Sequence, residues 1–256
     1  MKAIAILPAR MGASRFPGKP LHPILGIPLI GHCYYRTRMV PGLAATYVAT
    51  CDQEIADYVS HIGGTAVMTS IQHNRASDRT AEALLKIEAQ SGEPVDVVIM
   101  VQGDEPLILP ETIGETLGHF SDPSVEIVNI MSRLATREQF EDKNNVKVVV
   151  NHLGDALYFS REPIPSPWKG VEGVPMYQQV GVIAFRHDAL LRFNNMPEST
   201  LEKIESVDMN RVLESGGRIR MVLTEAVTIG VDTPGEAEEV GRLLANDPVY
   251  ARYAPR

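Results

Sequence analysis

The first candidate site is a cationic segment near the start of the chain, ILPARMGASRFPGKPL, residues 6–21. It supplies three positive charges and two flexible backbone positions, namely Arg10, Arg15, Lys19, Gly12 and Gly18. Glycine lets backbone amides approach an anion closely, and clustered cations hold phosphate oxygens. Proline follows the lysine, which excludes a Walker P-loop, and the dinucleotide pattern G-x-G-x-x-G is also missing. The segment predicts a nucleotide or polyphosphate site, with a basic surface loop as the alternative.

The charge of the chain is distributed unevenly. The 256 residues carry a formal net charge of −8, yet residues 1–51 hold six Lys or Arg and no Asp or Glu. An acidic chain with a pI near 5.4 is not expected to bind nucleic acid or an anionic membrane. A local cationic site in such a chain instead predicts a small anionic ligand.

The two cysteines, Cys33 and Cys51, form neither a disulfide framework nor a metal cluster, and each is predicted to be a small buried hydrophobic residue. The N-terminal apolar stretch is too short for a signal peptide. No apolar run reaches the roughly 18 residues of a membrane-spanning helix. We therefore expect a cytoplasmic protein that does not span a membrane.

Two aspartates that follow apolar strands are the candidate metal ligands. Asp104 ends the run VDVVIMVQGD, and Asp232 lies in a similar context in IGVDTP. Two carboxylates that converge on phosphate oxygens would suit Mg²⁺, which keeps waters and substrate phosphates as its other ligands. Each aspartate could instead cap the following helix. Glu105 is predicted to be a structural turn residue.

Alternating strands and helices must position these side chains. Runs such as KAIAIL and VDVVIMV predict buried parallel strands, and SDRTAEALLKIEAQSG has helical spacing behind a cap. The alternation predicts a single α/β domain over residues 1–256 with a mostly parallel sheet and helices on both faces. After Ser121 the strands lengthen, and residues from about 122 to 200 are predicted to form a smaller β-rich lobe. TLEKIESVDMNRVLESGG is predicted as one helix.

The segment LPARMGASRFPGKPL resembles the N-terminal signature of CMP-Kdo synthetases, the 3-deoxy-manno-octulosonate cytidylyltransferases, which couple CTP to an eight-carbon sugar acid. The resemblance continues in order through MTSIQHNRASDRTAEA, IMVQGDEPL, NNVKVVV, ALYFSREPIP and GVDTPGEAEEV. It implies a Rossmann-like nucleotidyltransferase sheet, a homodimer formed partly by the β-rich lobe, and Mg²⁺ held by Asp104 and Asp232.

The resemblance also implies a CTP site with cytosine selection. Its residues would be Ala9, Arg10, Gly12, Ser14, Arg15, Lys19, Met68, Thr69, His73, Ser77, Arg79 and Gln102, with Arg10, Lys19 and Asp104 as the catalytic set. The usual pattern after the histidine is x-Ser-Gly-Thr-Asp/Glu-Arg, whereas this chain reads HNRASDR. Ala76 thus replaces a glycine, and Ser77 keeps the hydroxyl of the usual threonine.

A second set of residues would bind the acceptor, namely Gln102, Arg161, Gln179, Ile183, Asp208 and Met209. Gln102 and Arg161 match the family pattern. The other four replace His, Tyr, Glu and Gln in that order. A pocket built for hydroxyls rejects ligands that leave its polar groups unpaired. These replacements predict a changed acid acceptor, such as a modified ulosonic acid or phosphonoformate, and a Kdo enzyme with different contacts is the alternative.

The reaction implied is attack of an acceptor oxygen on the α-phosphorus of CTP with loss of pyrophosphate. Such catalysis depends on positioning and charge stabilisation, and the chain shows no Ser/His/Asp nucleophile set. Arg10, Arg15 and Lys19 would neutralise the leaving pyrophosphate. The Pro- and Gly-rich loop from Glu162 to Val174 is a candidate lid. A non-catalytic nucleotide-binding protein and a nucleotidyltransferase for another NTP are the competing classes.

Overall fold

A computed structural model describes residues 1–12, 15–168, 170 and 173–255. Ser14, a predicted CTP contact, lies outside the described residues, as do three positions of the predicted lid, Lys169, Val171 and Glu172.

Within these ranges the chain forms eleven strands and nine α-helices. The strands are β1 Ala3–Ala9, β2 Pro23–Ile24, β3 Ile27–Pro28, β4 Leu43–Thr50, β5 Thr65–Met68, β6 Val97–Val101, β7 Ile127–Arg133, β8 Lys147–Val150, β9 Ala156–Ser160, β10 Tyr177–Arg186 and β11 Arg220–Thr224. The helices are α1 Leu29–Arg38, α2 Gln53–His61, α3 Ala76–Ser91, α4 Pro110–Gly118, α5 Arg137–Glu141, α6 His187–Asn195, α7 Thr200–Glu205, α8 Asn210–Glu214 and α9 Pro234–Leu244.

The central sheet has the strand order β11-β7-β10-β6-β1-β4-β5. Strand β10 runs antiparallel to β6 and β7, and the other neighbouring strands along this order are parallel. The predicted α/β fold with a mostly parallel sheet is therefore confirmed. Strands β7 and β10, which belong to the predicted β-rich segment, lie in this central sheet. The antiparallel hairpin β8–β9 leaves it and joins β10 through one residue pair, Gln178 and Lys147.

Helices cover both faces of the sheet because the central strands are apolar on both sides. Along β1, Ile4 and Ile6 pack into one hydrophobic cluster with α3 and α6, whereas Ala5 and Leu7 pack into another with α1 and α2. Successive side chains of a strand point to opposite faces, so one buried strand contributes to two cores. This arrangement leaves the ends of the strands as the place where polar side chains meet.

The segment predicted as one helix over TLEKIESVDMNRVLESGG forms two, α7 and α8. The prediction was wrong because Ser206 adopts a left-handed backbone with φ of 54°, which ends α7. Val207 and Met209, on either side of Asp208, are both buried in the hydrophobic core. The break therefore presents Asp208 at a turn between two anchored residues.

Cys33 is fully buried in the core, as predicted, and Cys51 is half-buried. Across the described ranges, every helix is too short or too polar to cross a membrane.

Candidate active site

Polar side chains surround a cavity of about 410 Å³ at the carboxyl ends of β1 and β6. We call it the first cavity. Gly103 follows β6 and lets the two strand ends approach each other. A Cβ there would lie 2.9 Å from Ile30 Cδ1 and 3.2 Å from the carbonyl oxygen of Pro8. Ligands of parallel α/β sheets bind at this edge, so the position agrees with the predicted nucleotide site.

One wall of the first cavity is formed by residues 9–12 and 15–19, which we call the cationic loop. Gly18 has a φ of 74°, a conformation that glycine adopts without strain, and its amide donates to the carbonyl of Met11 at 3.2 Å. This turn brings Lys19 back towards the strand ends. Ala9, Arg10, Gly12, Arg15 and Lys19, all predicted to contact CTP, line the cavity together.

The ammonium group of Lys19 lies between the two predicted metal ligands. Its Nζ donates to Asp104 Oδ2 at 2.8 Å and to Asp232 Oδ1 at 3.0 Å. Burial disfavours the charged amine, but the two carboxylates outweigh this effect and raise the pKa of Lys19 above its usual value. Arg15 donates to Asp232 Oδ2 at 2.7 Å and to Asn144 Oδ1 at 2.8 Å. In this arrangement two cations balance two carboxylates.

The alternative in which these aspartates cap helices does not fit the structure. Thr233 caps α9 in a reciprocal capping box with Glu236, and Leu109 is the N-cap position of α4. Asp104 and Asp232 instead converge on one ammonium group. Nowhere in the described ranges do three or more His, Cys, Asp or Glu side chains form a metal cluster. A pair of carboxylates leaves coordination positions open for phosphate oxygens and water, which is the arrangement that Mg²⁺ favours.

The opposite wall comes from the segment before α3. His73 lines the cavity and its Nε2 is hydrogen-bonded to Glu82. Burial disfavours the Glu82 carboxylate, but its hydrogen bonds to Lys86, the Ser70 amide and His73 outweigh this and lower its pKa to about 2. This network fixes the imidazole of His73 beside the cavity.

The other predicted base and ribose contacts take varied positions. Arg79 lines the cavity and donates to Thr69 Oγ1, and both side chains are buried. Thr69, Met68 and Ser77 are not part of the lining. Met68 is partly exposed, and the Ser77 hydroxyl points to Asp208 Oδ2 at 3.5 Å. Thr69 and Ser77 thus orient neighbouring side chains in this structure.

A second cavity of about 550 Å³ adjoins the first. Seven residues line both: Arg15, Asn74, Arg75, Ala76, Gln102, Asp104 and Asp232. Gln102, Arg161, Gln179, Ile183 and Asp208, five of the six predicted acceptor residues, line the second cavity. Met209 does not, because its side chain is fully buried in the core. The two predicted substrate sites therefore form one continuous space.

A bulge in β10 shapes this second cavity. The pairing of β10 with β7 shifts between Gln179 and Ile183. Asn129 Nδ2 donates to the carbonyls of Val180 at 2.9 Å and Val182 at 2.8 Å, and Gln179 Nε2 donates to Asn129 Oδ1 at 2.7 Å. This bond uses one of the two N–H donors of the Gln179 side chain and fixes its orientation, and its carbonyl oxygen can accept from a ligand hydroxyl.

Glu105, in the turn that follows β6, stabilises the same bulge. Its Oε1 accepts from the Gly181 amide at 2.9 Å. Burial, followed by the neighbouring charge of Asp104, raises the pKa of Glu105 to about 7. A Cβ on Gly181 would lie 3.0 Å from the side chain of Gln102, so glycine allows the close contact between these strands.

Sequence reasoning assigned no role to Asn74 and Arg75, which line both cavities, or to Asn144, which lines the second cavity. Asn74 and Arg75 lie inside HNRASDR, and Asn144 begins NNVKVVV. Asn144 binds Arg15, and Arg75 forms ion pairs with a distant helix, as described below. Their position within these motifs is the feature of the sequence that could have indicated a place in the site.

The comparisons with known proteins agree with this geometry. A family model described as Cytidylyltransferase matches residues 4–220. The 3-deoxy-manno-octulosonate cytidylyltransferase of Escherichia coli is 41% identical over 248 residues, covering 96% of this chain and 97% of that protein. The protein of the same name from Geobacter metallireducens is 40% identical over 256 residues, covering 96% and 98%.

A solved structure of CMP:2-keto-3-deoxy-manno-octonic acid synthetase complexed with CTP gives a TM-score of 0.87 at 39% identity. It covers 96% of this chain and 99% of that chain. Similarity of this extent, along nearly the full length of both partners, confirms an enzyme of the nucleotidyltransferase class. The chain belongs to the CMP-Kdo synthetase (3-deoxy-manno-octulosonate cytidylyltransferase) family of cytidylyltransferases.

Proposed function

We propose that the protein transfers CMP from CTP to 3-deoxy-manno-octulosonate (Kdo) or a closely similar sugar acid, with Mg²⁺ as cofactor and pyrophosphate as leaving group. The observation that carries this proposal is the meeting of Asp104 and Asp232 at Lys19 Nζ, where the two cavities join. Cations on one side suit a triphosphate, and a polar cavity on the other side suits a hydroxyl-rich acceptor.

The pair of aspartates fits a magnesium ion because both carboxylates already converge on one cation, the ammonium of Lys19. The chemistry that Mg²⁺ supplies when bound is charge stabilisation at the α-phosphate and activation of the acceptor hydroxyl. The side chains of Arg10, Arg15 and Lys19 bind the β- and γ-phosphates and stabilise the charge that develops on pyrophosphate.

The remaining residues position the acceptor for in-line attack. Gln102 lines both cavities, so its amide lies where the two substrates meet. Gln179, oriented by its hydrogen bond to Asn129, offers a carbonyl oxygen to a hydroxyl. Holding both reactants in one continuous space converts a bimolecular reaction into a nearly intramolecular one.

The names of the relatives support a sugar acid over a phosphonate as the acceptor. We also propose that the enzyme acts as a homodimer in the cytoplasm, where CTP is available, with the hairpin β8–β9 in the interface. Leu153 at its tip and Leu157 on β9 have 70% and 58% of their surface exposed, which favours a partner at this hairpin. Light scattering during size-exclusion chromatography would measure the oligomeric state.

The experiment is pyrophosphate release from CTP and Mg²⁺ with an acceptor panel of Kdo, its 8-amino analogue, a sialic acid and phosphonoformate. Asp104→Asn and Asp232→Asn are each expected to lower kcat about 100-fold or more, since each removes a carboxylate that would hold Mg²⁺ at the reacting phosphates. Glu238→Gln is the matched control, because this carboxylate is exposed on α9.

Turnover of Kdo at ordinary efficiency would support the proposal and exclude the changed acceptor predicted from Gln179, Ile183, Asp208 and Met209. Turnover of another panel member without Kdo would assign that acceptor instead. Full activity of both aspartate variants, or activity that survives EDTA, would refute the proposed role of Mg²⁺.

A further inference from the structure

Arg75 is a cation at the junction of the two cavities. It lies directly before α3, lines both cavities, and has 29% of its side chain exposed. Its Nη2 forms ion pairs with Glu198 at 2.7 Å and Glu202 at 3.0 Å. Within the described parts of the chain, its Nε and Nη1 donate no hydrogen bond. The guanidinium of Arg75 is therefore held by two ion pairs at the space between the substrates, and two of its nitrogens remain available as donors.

The two carboxylates that form ion pairs with Arg75 leave part of its charge available to a ligand. Glu202 is buried and receives two hydrogen bonds from Arg211, at 2.6 and 2.7 Å, so its main partner is Arg211. Glu198 is exposed to about half, and an ion pair with an exposed carboxylate is weakened by solvent. The two contacts thus fix the direction of the Arg75 side chain and leave its remaining donors available.

In Arg161, the cation predicted to bind the acceptor, each of the three guanidinium nitrogens already donates to a backbone carbonyl. Its Nε donates to the carbonyl of Glu205 at 2.7 Å, Nη1 to that of Lys143 at 2.8 Å and Nη2 to that of Ser206 at 3.4 Å. Arg161 thereby holds the end of α7 against the segment before β8. On the triphosphate side, Lys19 and Arg15 are paired with Asp104 and Asp232.

Arg75 is on the acceptor side of the shared wall because both of its ion-pair partners lie at α7, next to the turn that carries Asp208. An acidic acceptor brings a carboxylate into the second cavity, and arginine is the side chain best suited to bind it. We propose that Arg75 binds the acidic group of the acceptor through Nε and Nη1, and that it determines specificity for acid acceptors. This inference rests on the function proposed above.

The test compares Kdo with its C1 amide, which has the same shape and no negative charge. For Arg75→Gln we expect KM for Kdo to rise about 10- to 100-fold, the range for loss of a charge-assisted hydrogen bond. The ratio of kcat/KM for acid over amide should fall by the same factor. KM for CTP should change by less than about 2-fold, because Arg75 is proposed to contact the acceptor and not the nucleotide.

Glu198→Gln is the matched control, because it removes one ion pair of Arg75 while the pair with Glu202 still holds the guanidinium in place. Glu198→Gln should retain the acid-over-amide ratio of the wild type. If the ion pair had only a structural role, Glu198→Gln and Arg75→Gln would change this ratio equally. Arg75→Lys should recover part of the ratio, and it replaces Arg75→Gln if that variant does not fold.

An unchanged acid-over-amide ratio in the Arg75 variants would overturn the inference and leave the proposed function intact. A rise in KM for CTP alone would also overturn it, because Arg75 would then serve the triphosphate. No transfer by the wild type to any acceptor would overturn the proposed function, and this inference with it.

Discussion

Replacing Lys19 with methionine separates the structural and catalytic roles of the carboxylate pair. Lys19 Nζ is the shared partner of Asp104 and Asp232, at 2.8 and 3.0 Å. Methionine keeps most of the length of the side chain but removes the charge. In Lys19→Met, Asp104 would lose its cation and Asp232 would keep only Arg15, so the free enzyme should lose stability and gain affinity for Mg²⁺.

The magnitude follows from the two hydrogen bonds. Each hydrogen bond to a charged group contributes about 1.5–3 kcal/mol. The Asp232 side chain is 36% exposed, so solvent screening weakens its ion pair with Lys19. The total therefore stays below the sum of two full contributions. We expect the free energy of unfolding to fall by about 2–3 kcal/mol at pH 7 without divalent ions, which lowers Tm by about 4–12 °C for a chain of roughly this size.

The assay is a thermal unfolding series with increasing Mg²⁺ after dialysis against EDTA. At ten times its Kd, Mg²⁺ should return about 1.4 kcal/mol to Lys19→Met. The wild type should gain less, because the lysine ammonium competes for the same oxygens. Turnover of the variant should still be about 100-fold lower, since the leaving pyrophosphate loses a cation. Lys143→Met, which breaks an exposed ion pair with Glu162, is the control and should change little.

Equal stabilisation of wild type and Lys19→Met by Mg²⁺ would refute the idea that lysine and metal share one site. Unchanged stability of Lys19→Met without Mg²⁺ would show that the contacts to Asp104 and Asp232 contribute nothing to folding.

Three further outcomes are expected. Gly103→Ala should lower the free energy of unfolding in urea by about 1–3 kcal/mol, because its Cβ would lie 2.9 Å from Ile30 Cδ1. Asn129→Leu should cost about 2–4 kcal/mol in the same assay, since two buried carbonyls of the β10 bulge lose their donor. The carboxylate of Glu82, with a pKa near 2 in the fold against 4.5 unfolded, stabilises the protein above pH 4.5, and this contribution is lost as pH falls towards 2. When the free energy of unfolding is measured as a function of pH, Glu82→Gln should lack the part of the decrease that Glu82 causes between pH 4.5 and about 2.

Local patterns were sufficient to predict the elements that carry the site. The continuous apolar run of β6 and the periodic α3 need little tertiary information to be recognised. The cap predicted for α3 at its Ser-Asp pair was wrong, because the helix already begins at Ala76 and its N-cap residue makes no side-chain cap hydrogen bond. The position of β10, antiparallel between β6 and β7, depends on pairing between segments about 50 to 80 residues apart. Such register is set by packing, which a single sequence does not display.

Within the site, residues that follow apolar strands were predictable because strand ends of a parallel sheet share one edge. Asp104 and Asp232 satisfy that condition and meet in the structure. Met209 was predicted to contact the acceptor from its position in a motif, but the break after α7 turns it into the core. Arg75 was overlooked since its partners Glu198 and Glu202 lie more than 120 residues away.

The shared wall of the two cavities has a consequence for inhibitor chemistry. Since Gln102 and Asp104 border both cavities, a single molecule that joins a nucleotide to a sugar acid can occupy them without crossing protein. Binding of such a molecule costs translational and rotational entropy once, whereas binding of two separate ligands costs it twice. Its affinity should therefore exceed that of either half by orders of magnitude, and a short linker replacing the α-phosphate would be the most economical scaffold.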